Sequence, residues 1–135
     1  MKAYERLIKY TKVNTASSEG GNTTPSTPGQ FELARLLVDE LKELGVKDAR
    51  VDDKCYVYGI IPASAGCEGA VRLGFIAHLD TSPDFSGEGV NPRVIENYDG
   101  GDLPLGQSGR VMRVSDFPHL TKLRGKTLIV TDGNT

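Results

Sequence analysis

The segment VRLGFIAHLD, residues 71–80, constrains the fold more than any other part of the chain. Val71 to Ala77 is an almost unbroken apolar run, and a short run of this kind predicts a strand buried on both faces. It stops abruptly at His78-Leu79-Asp80, and the turn formers of TSPDFSGEGVNP follow. In a strand, residues i and i+2 project to the same side, so His78 and Asp80 are predicted to leave the strand end together. The ends of strands in open α/β sheets are where ligand clefts form. A histidine there can be a metal ligand, a general base or a polar residue closing an exposed edge. The pair alone does not choose among them.

The rest of the chain supplies elements to surround such a strand. Residues 2–12 read as a short amphipathic helix with Tyr4, Leu7, Ile8 and Thr11 on one face. NTASSEGGNTTPST, residues 14–27, has the composition of an exposed loop. A second helix is predicted from Pro28 to Leu44. Thr27 stands at its N-cap position, and Gln30 follows three later as in a capping box. Ala34, Leu37, Leu41 and Leu44 form its apolar face, broadened by Leu33 and Val38, and Gly45 is the stop. Short strands are predicted at Ala49–Val51, Tyr56–Ile61, Arg93–Glu96 and Lys126–Thr131. Residues 81–110 form a long excursion, which implies either function or an extra hairpin. The order of elements predicts an α/β fold with a central mixed β-sheet flanked by helices.

Bulk properties exclude several functions. A chain of 135 residues predicts one domain, and a net charge of −2 without like-charge blocks points to neither nucleic acid nor an anionic membrane. The apolar runs are too short for a bilayer span, and the charged N-terminus MKAYERLIKYTKVN lacks a signal-peptide core. Cys55 and Cys67 have no CxxC spacing and read as reduced thiols of a cytoplasmic protein. Gly87, Gly89, Gly100 and Gly101 do not form a phosphate-cradling loop after a strand.

Five stretches carry a resemblance: TPGQFELARLLVDELKELG, the YVYG strand, HLDTSPDFSG, NPRVIENYDGGD and KTLIVTDGNT. In this order they resemble the N-terminal part of the tripeptide-aminopeptidase branch of the dizinc exopeptidases, the M20 metallopeptidase family. ENYDGGD and the TTPSTPGQ junction are similar to that branch rather than to dizinc exopeptidases at large. The resemblance implies a zinc-dependent, cytoplasmic aminopeptidase that releases the N-terminal residue of tripeptides. It implies that His78 is a ligand of one of two zinc ions and that Asp80 is the carboxylate orienting that histidine. A ligating imidazole commonly donates its other N–H to such a carboxylate.

The same resemblance implies that residues 1–135 are the N-terminal portion of a zinc-exopeptidase-like catalytic domain. The aspartate bridging the two zincs, the glutamate base, the last histidine and the lid or dimerisation domain would all lie beyond it. A catalytic zinc takes about three protein ligands, so this portion alone is expected to be inactive and to bind zinc weakly at most. Asp132 falls just before the bridging segment and is not assigned to it. His119, Asp84, Glu88, Glu96, Asp99 and Asp102 are read as surface or turn residues. Two alternatives stay open: a related dizinc dipeptidase or acyl-amino-acid hydrolase, and a non-catalytic remnant serving as an interaction module. An apolar sheet face or unpaired edge left in water is expected to make the chain self-associate.

Overall fold

The structure, a computed structural model, describes residues 1–134. The chain mixes helices with short strands and divides into two compact units, residues 15–83 and residues 1–14 with 84–135. Among the described residues no helix is long and apolar enough to cross a membrane.

The first of these units is built on one helix and one hairpin. Helix α2, Gly29–Glu43, follows the short α1, Ala3–Tyr10, in chain order. It buries Leu33, Ala34 and Val38 and packs against β1, Lys47–Val51, and β2, Val57–Ile60. The helix ends as its sequence requires. Gly45 adopts φ 78°, its N–H bonds Lys42 O at 2.9 Å, and Val46 N–H bonds Leu41 O at 2.9 Å. Only glycine enters that left-handed turn without steric cost, and the two bonds satisfy carbonyls left open at the helix end.

β1 and β2 pair antiparallel, with Arg50 opposite Tyr58, Val51 opposite Val57 and an irregularity between Lys47 and Arg50. Asp52 closes the turn between them. Its Oδ1 accepts the N–H groups of Lys54 at 3.0 Å and Tyr56 at 2.8 Å, and the Tyr58 hydroxyl reaches its Oδ2 at 3.3 Å. The hairpin lies tight against Val46 at Gly59, since a Cβ there would lie 2.6 Å from Val46 Cγ1.

The helix start departs from the sequence reading. Thr27 makes no capping bond, and Pro28 occupies the N-cap position. The Thr27 hydroxyl instead donates to Ala16 O at 2.8 Å, and Gln30 Nε2 donates to Ser26 Oγ at 3.1 Å. Thr27 thus serves the 15–18 segment and Gln30 the nearby Ser26, because other acceptors compete with the helix's own first turn.

The other unit has its core at Tyr98, Leu103 and Leu120, with Ile95, Met112, Leu128 and Val130 packed against them. β3, Arg93–Ile95, pairs antiparallel with β6, Leu128–Val130. The two-residue strands β4, Leu103–Pro104, and β5, Val111–Met112, form a hairpin that starts in the long excursion and ends just past residue 110. A 3-10 helix, Pro118–Leu123, supplies Leu120 to the core. Tyr98 ties the turn together: its N–H bonds Lys126 O, its carbonyl accepts Gly125 N–H, and its hydroxyl donates to Gly101 O. Helix α1 has no buried residue.

Two expectations are corrected here. Among the described residues the strands form three separate two-stranded antiparallel sheets, not one central mixed sheet. Val71–Ala77 is not a strand. Val71 is 90% exposed, Leu73 83%, Phe75 93% and Ile76 101%. An apolar pattern reports that burial would be favourable, but a strand exists only where its N–H and C=O groups find a second backbone. No backbone bond of residues 71–79 to another described residue is present beyond the local turn that ends at Ala70.

Candidate functional site

The chemistry the sequence singles out lies at the end of that exposed run. His78 Nδ1 is 2.7 Å from the Asp80 carbonyl oxygen and 3.1 Å from Asp80 Oδ1. Both oxygens are acceptors only, so the ring nitrogen between them carries the proton and donates. In the tautomer with its proton on Nδ1, the imidazole carries its lone pair on Nε2. His78 is largely open, its side chain 83% exposed, and the Asp80 side chain is 44% exposed. A carboxylate holding the tautomer of an accessible imidazole is the arrangement found behind metal-bound histidines.

What anchors the pair is not the strand pairing predicted for it but a latch from the N-terminal loop. Thr81 N–H donates to Thr15 O at 3.2 Å, and Ser17 N–H donates to Thr81 O at 3.0 Å, a parallel bridge centred on Ala16 and Thr81. The Ser17 hydroxyl also donates to Thr81 O at 3.0 Å. The latch is held in turn by Thr27 on Ala16 O and by Ser26 Oγ, which accepts Ser18 N–H at 3.2 Å. Thr15 is buried, at 4% exposure. Nothing in NTASS distinguishes it from an ordinary loop, so pattern reading passes over these residues.

A cleft of about 610 Å³ opens between β2 and the 75–80 segment, lined by Tyr58, Cys55, Gln30, Phe75, His78 and Asp80. Cys55 sits in its wall with φ 69° and 6% exposure. Burial, seconded by the Asp52 carboxylate, pushes its thiol above the usual value of 9.0. It is therefore a neutral, weakly reactive thiol rather than a nucleophile.

The remaining polar residues considered from the sequence have structural partners or open surface. Asp99 Oδ1 accepts Gly101 N–H at 2.8 Å, and Asp102 Oδ1 accepts Val114 N–H at 2.8 Å. His119 is exposed and lies edge-on to Phe117, ring centroids 6.2 Å apart. Asp132 Oδ1 accepts Asn134 N–H at 2.8 Å. Among the described residues no three His, Cys, Asp or Glu side chains converge where they could hold a metal ion. His78 fits a zinc ligand by its chemistry, but the described residues do not by themselves complete a zinc centre.

No family model matches the chain. Curated proteins do. It is 50% identical over 135 residues to peptidase T of Bacillus licheniformis, covering 99% of this chain and 33% of that protein. Peptidase T of Geobacillus kaustophilus is 49% identical over 132 residues, 97% of this chain and 32% of its own length. For peptidase T of Clostridium perfringens the identity is 47% over 135 residues, with 99% and 32% covered. The resemblance to peptidase T is thereby established. The chain spans about a third of the length of the peptidase T relatives it matches. The match runs through both compact units, since it covers nearly every residue of the chain.

Proposed function

We propose that this chain is the N-terminal portion of the catalytic domain of a peptidase T-like enzyme. The intact protein is a zinc-dependent, cytoplasmic aminopeptidase that releases the N-terminal residue from tripeptides, with its lid or dimerisation domain in the remaining polypeptide. The observation that carries this reading is identity of 47–50% to peptidase T along almost the whole chain. The geometry at Asp80 supports it, since His78 is held by Nδ1 and offers Nε2. In this reading His78 is a zinc ligand and Asp80 its orienting carboxylate, and the other ligands and the general base come from polypeptide outside these residues. We also read the exposed apolar run as a segment that recruits another chain.

The test is a substrate panel on the intact protein: tripeptides, dipeptides and N-acyl amino acids, with and without chelator. Tripeptide cleavage that is lost with chelator and with His78→Ala is expected. Asp80→Asn should weaken metal affinity or activity about ten- to a hundredfold, the usual effect of removing a partner behind a ligating histidine. Preference for dipeptides or acyl amino acids would move the assignment to a related amidohydrolase. The 135-residue chain alone should show no cleavage, and a His78-dependent tripeptidase activity in it would refute the division of the site proposed here.

A further inference from the structure

His78 has two holders on Asp80, and the shorter contact is with the main chain. Its Nδ1 lies 2.7 Å from the Asp80 carbonyl oxygen and 3.1 Å from Oδ1. A carboxylate turns about its own side-chain bonds, but a carbonyl turns only with its peptide unit. The Asp80–Thr81 unit is planar and trans, so the Asp80 carbonyl and the Thr81 N–H point in opposite directions and move together. That N–H donates to Thr15 O at 3.2 Å. One peptide unit thus joins the N-terminal loop to the imidazole, and the hydrogen bonds on its two sides polarise and strengthen one another. We propose, on the reading of His78 as a zinc ligand, that Ser17 and Thr27 are positioning residues for it: their hydroxyls hold the loop that sets the Asp80 carbonyl.

Each hydroxyl has its own duty. Ser17 acts on the residue next to Asp80: Thr81 O accepts both its N–H and its hydroxyl, each at 3.0 Å, which fills both lone pairs of that carbonyl. With its N–H on Thr15 O and its carbonyl on Ser17, Thr81 has both main-chain groups fixed by the loop. Thr27 acts one step further back, its hydroxyl donating to Ala16 O at 2.8 Å, between the two residues that hold Thr81. Beside it, Ser26 Oγ accepts Ser18 N–H at 3.2 Å and Gln30 Nε2 at 3.1 Å. Gln30 is buried in the first turn of helix α2, so the loop takes its position from a packed helix. A metal ligand keeps its angle only when the groups behind it are themselves held rigidly. All of these residues belong to one compact unit, residues 15–83.

Zinc affinity of the intact protein, measured by competition with a chromogenic chelator, tests the assignment together with amide exchange at Thr81. Ser17→Ala and Thr27→Val each remove one hydroxyl. Each should speed exchange at Thr81 and weaken zinc binding about tenfold, the lower end of the effect of removing a partner behind a ligating histidine. Thr27→Ser keeps the hydroxyl and should keep the parent affinity. Ser17→Ala leaves the Ser17 N–H on Thr81 O, so the test stands on it even where Thr27→Val unfolds. Leu33→Ala supplies the contrast: it opens the core under helix α2 in the same unit, and should lower the unfolding temperature while the folded protein binds zinc as the parent does. Parent-like zinc affinity in both Ser17→Ala and Thr27→Val overturns the proposal, and so does an equal loss in Leu33→Ala, which would make the effect one of general stability. Zinc binding indifferent to His78→Ala would overturn the proposed function and this role with it. Binding lost in His78→Ala but kept in the two hydroxyl variants overturns the positioning role alone.

Discussion

Leu128–Val130 and Val71–Ala77 are built from the same kind of side chain, yet the structure treats them in opposite ways. Leu128, Ile129 and Val130 pair with Ile95, Val94 and Arg93, and Leu128 and Val130 pack against the cluster of Tyr98, Leu103 and Leu120. Val71–Ala77 has no such pairing, and its large side chains stand in solvent. The difference is not in propensity. β6 has a neighbour within its own unit that offers both a backbone edge and an apolar cover, and a strand is stable only when it has both. Residues 71–77 have an apolar sequence with neither. Burial pattern in sequence is thus a statement of demand, and the supply has to come from elsewhere in the polypeptide or from another chain.

The largest effect should separate the two regions most cleanly. Leu120→Ala removes a side chain only 2% exposed from the cluster and should cost about 2–4 kcal/mol in denaturant unfolding. Leu73→Ala, at a residue 83% exposed, should change stability by less than about 0.5 kcal/mol where the chain is monomeric. Equal losses at the two sites would show that residues 71–77 are buried and would end the contrast.

Glycines sharpen the same comparison within one unit. A Cβ at Gly59 would meet Val46 Cγ1 at 2.6 Å, so Gly59→Ala must displace packed atoms and should cost about 1–3 kcal/mol. Nothing lies within 4 Å of a Cβ at Gly74, and Gly74→Ala should fall within about 0.5 kcal/mol of the parent. Thermal unfolding of both variants checks this.

A smaller effect concerns the β1–β2 turn. Asp52→Ala removes the acceptor for Lys54 and Tyr56 N–H and should cost about 1 kcal/mol, with faster amide exchange at Tyr56. The exposed run has no comparable polar anchor between residues 71 and 77.

The smallest expected effect is on pH dependence. Burial raises the Cys55 thiol above 9.0, so the folded chain holds its proton at pH values where the unfolded chain has released it. Stability contributed by the neutral thiol is therefore complete below about pH 9 and declines as pH rises beyond the unfolded value. Cys55→Ala should flatten that decline in unfolding measured between neutral and alkaline pH. Cys67, an exposed free thiol, should be alkylated well before Cys55 in the native chain.

What depends on neighbours close in the chain is readable from the amino-acid order. Helix α2 was legible from its apolar spacing and from Gly45, because helix hydrogen bonds and the closing turn span only a few residues. His78 and Asp80 do meet, but as near neighbours with complementary polar groups and not through the strand geometry from which their approach is expected. What depends on partners far away in sequence emerges only in the folded chain. It recruited Thr15 and Ser17 to hold Thr81, turned Thr27 from capping toward Ala16, and paired Leu128–Val130 with residues 93–95. It also left Val71–Ala77 unpaired. A backbone edge looks alike in every strand, so local pattern can say that a segment seeks a partner but cannot name which one completes its hydrogen bonds.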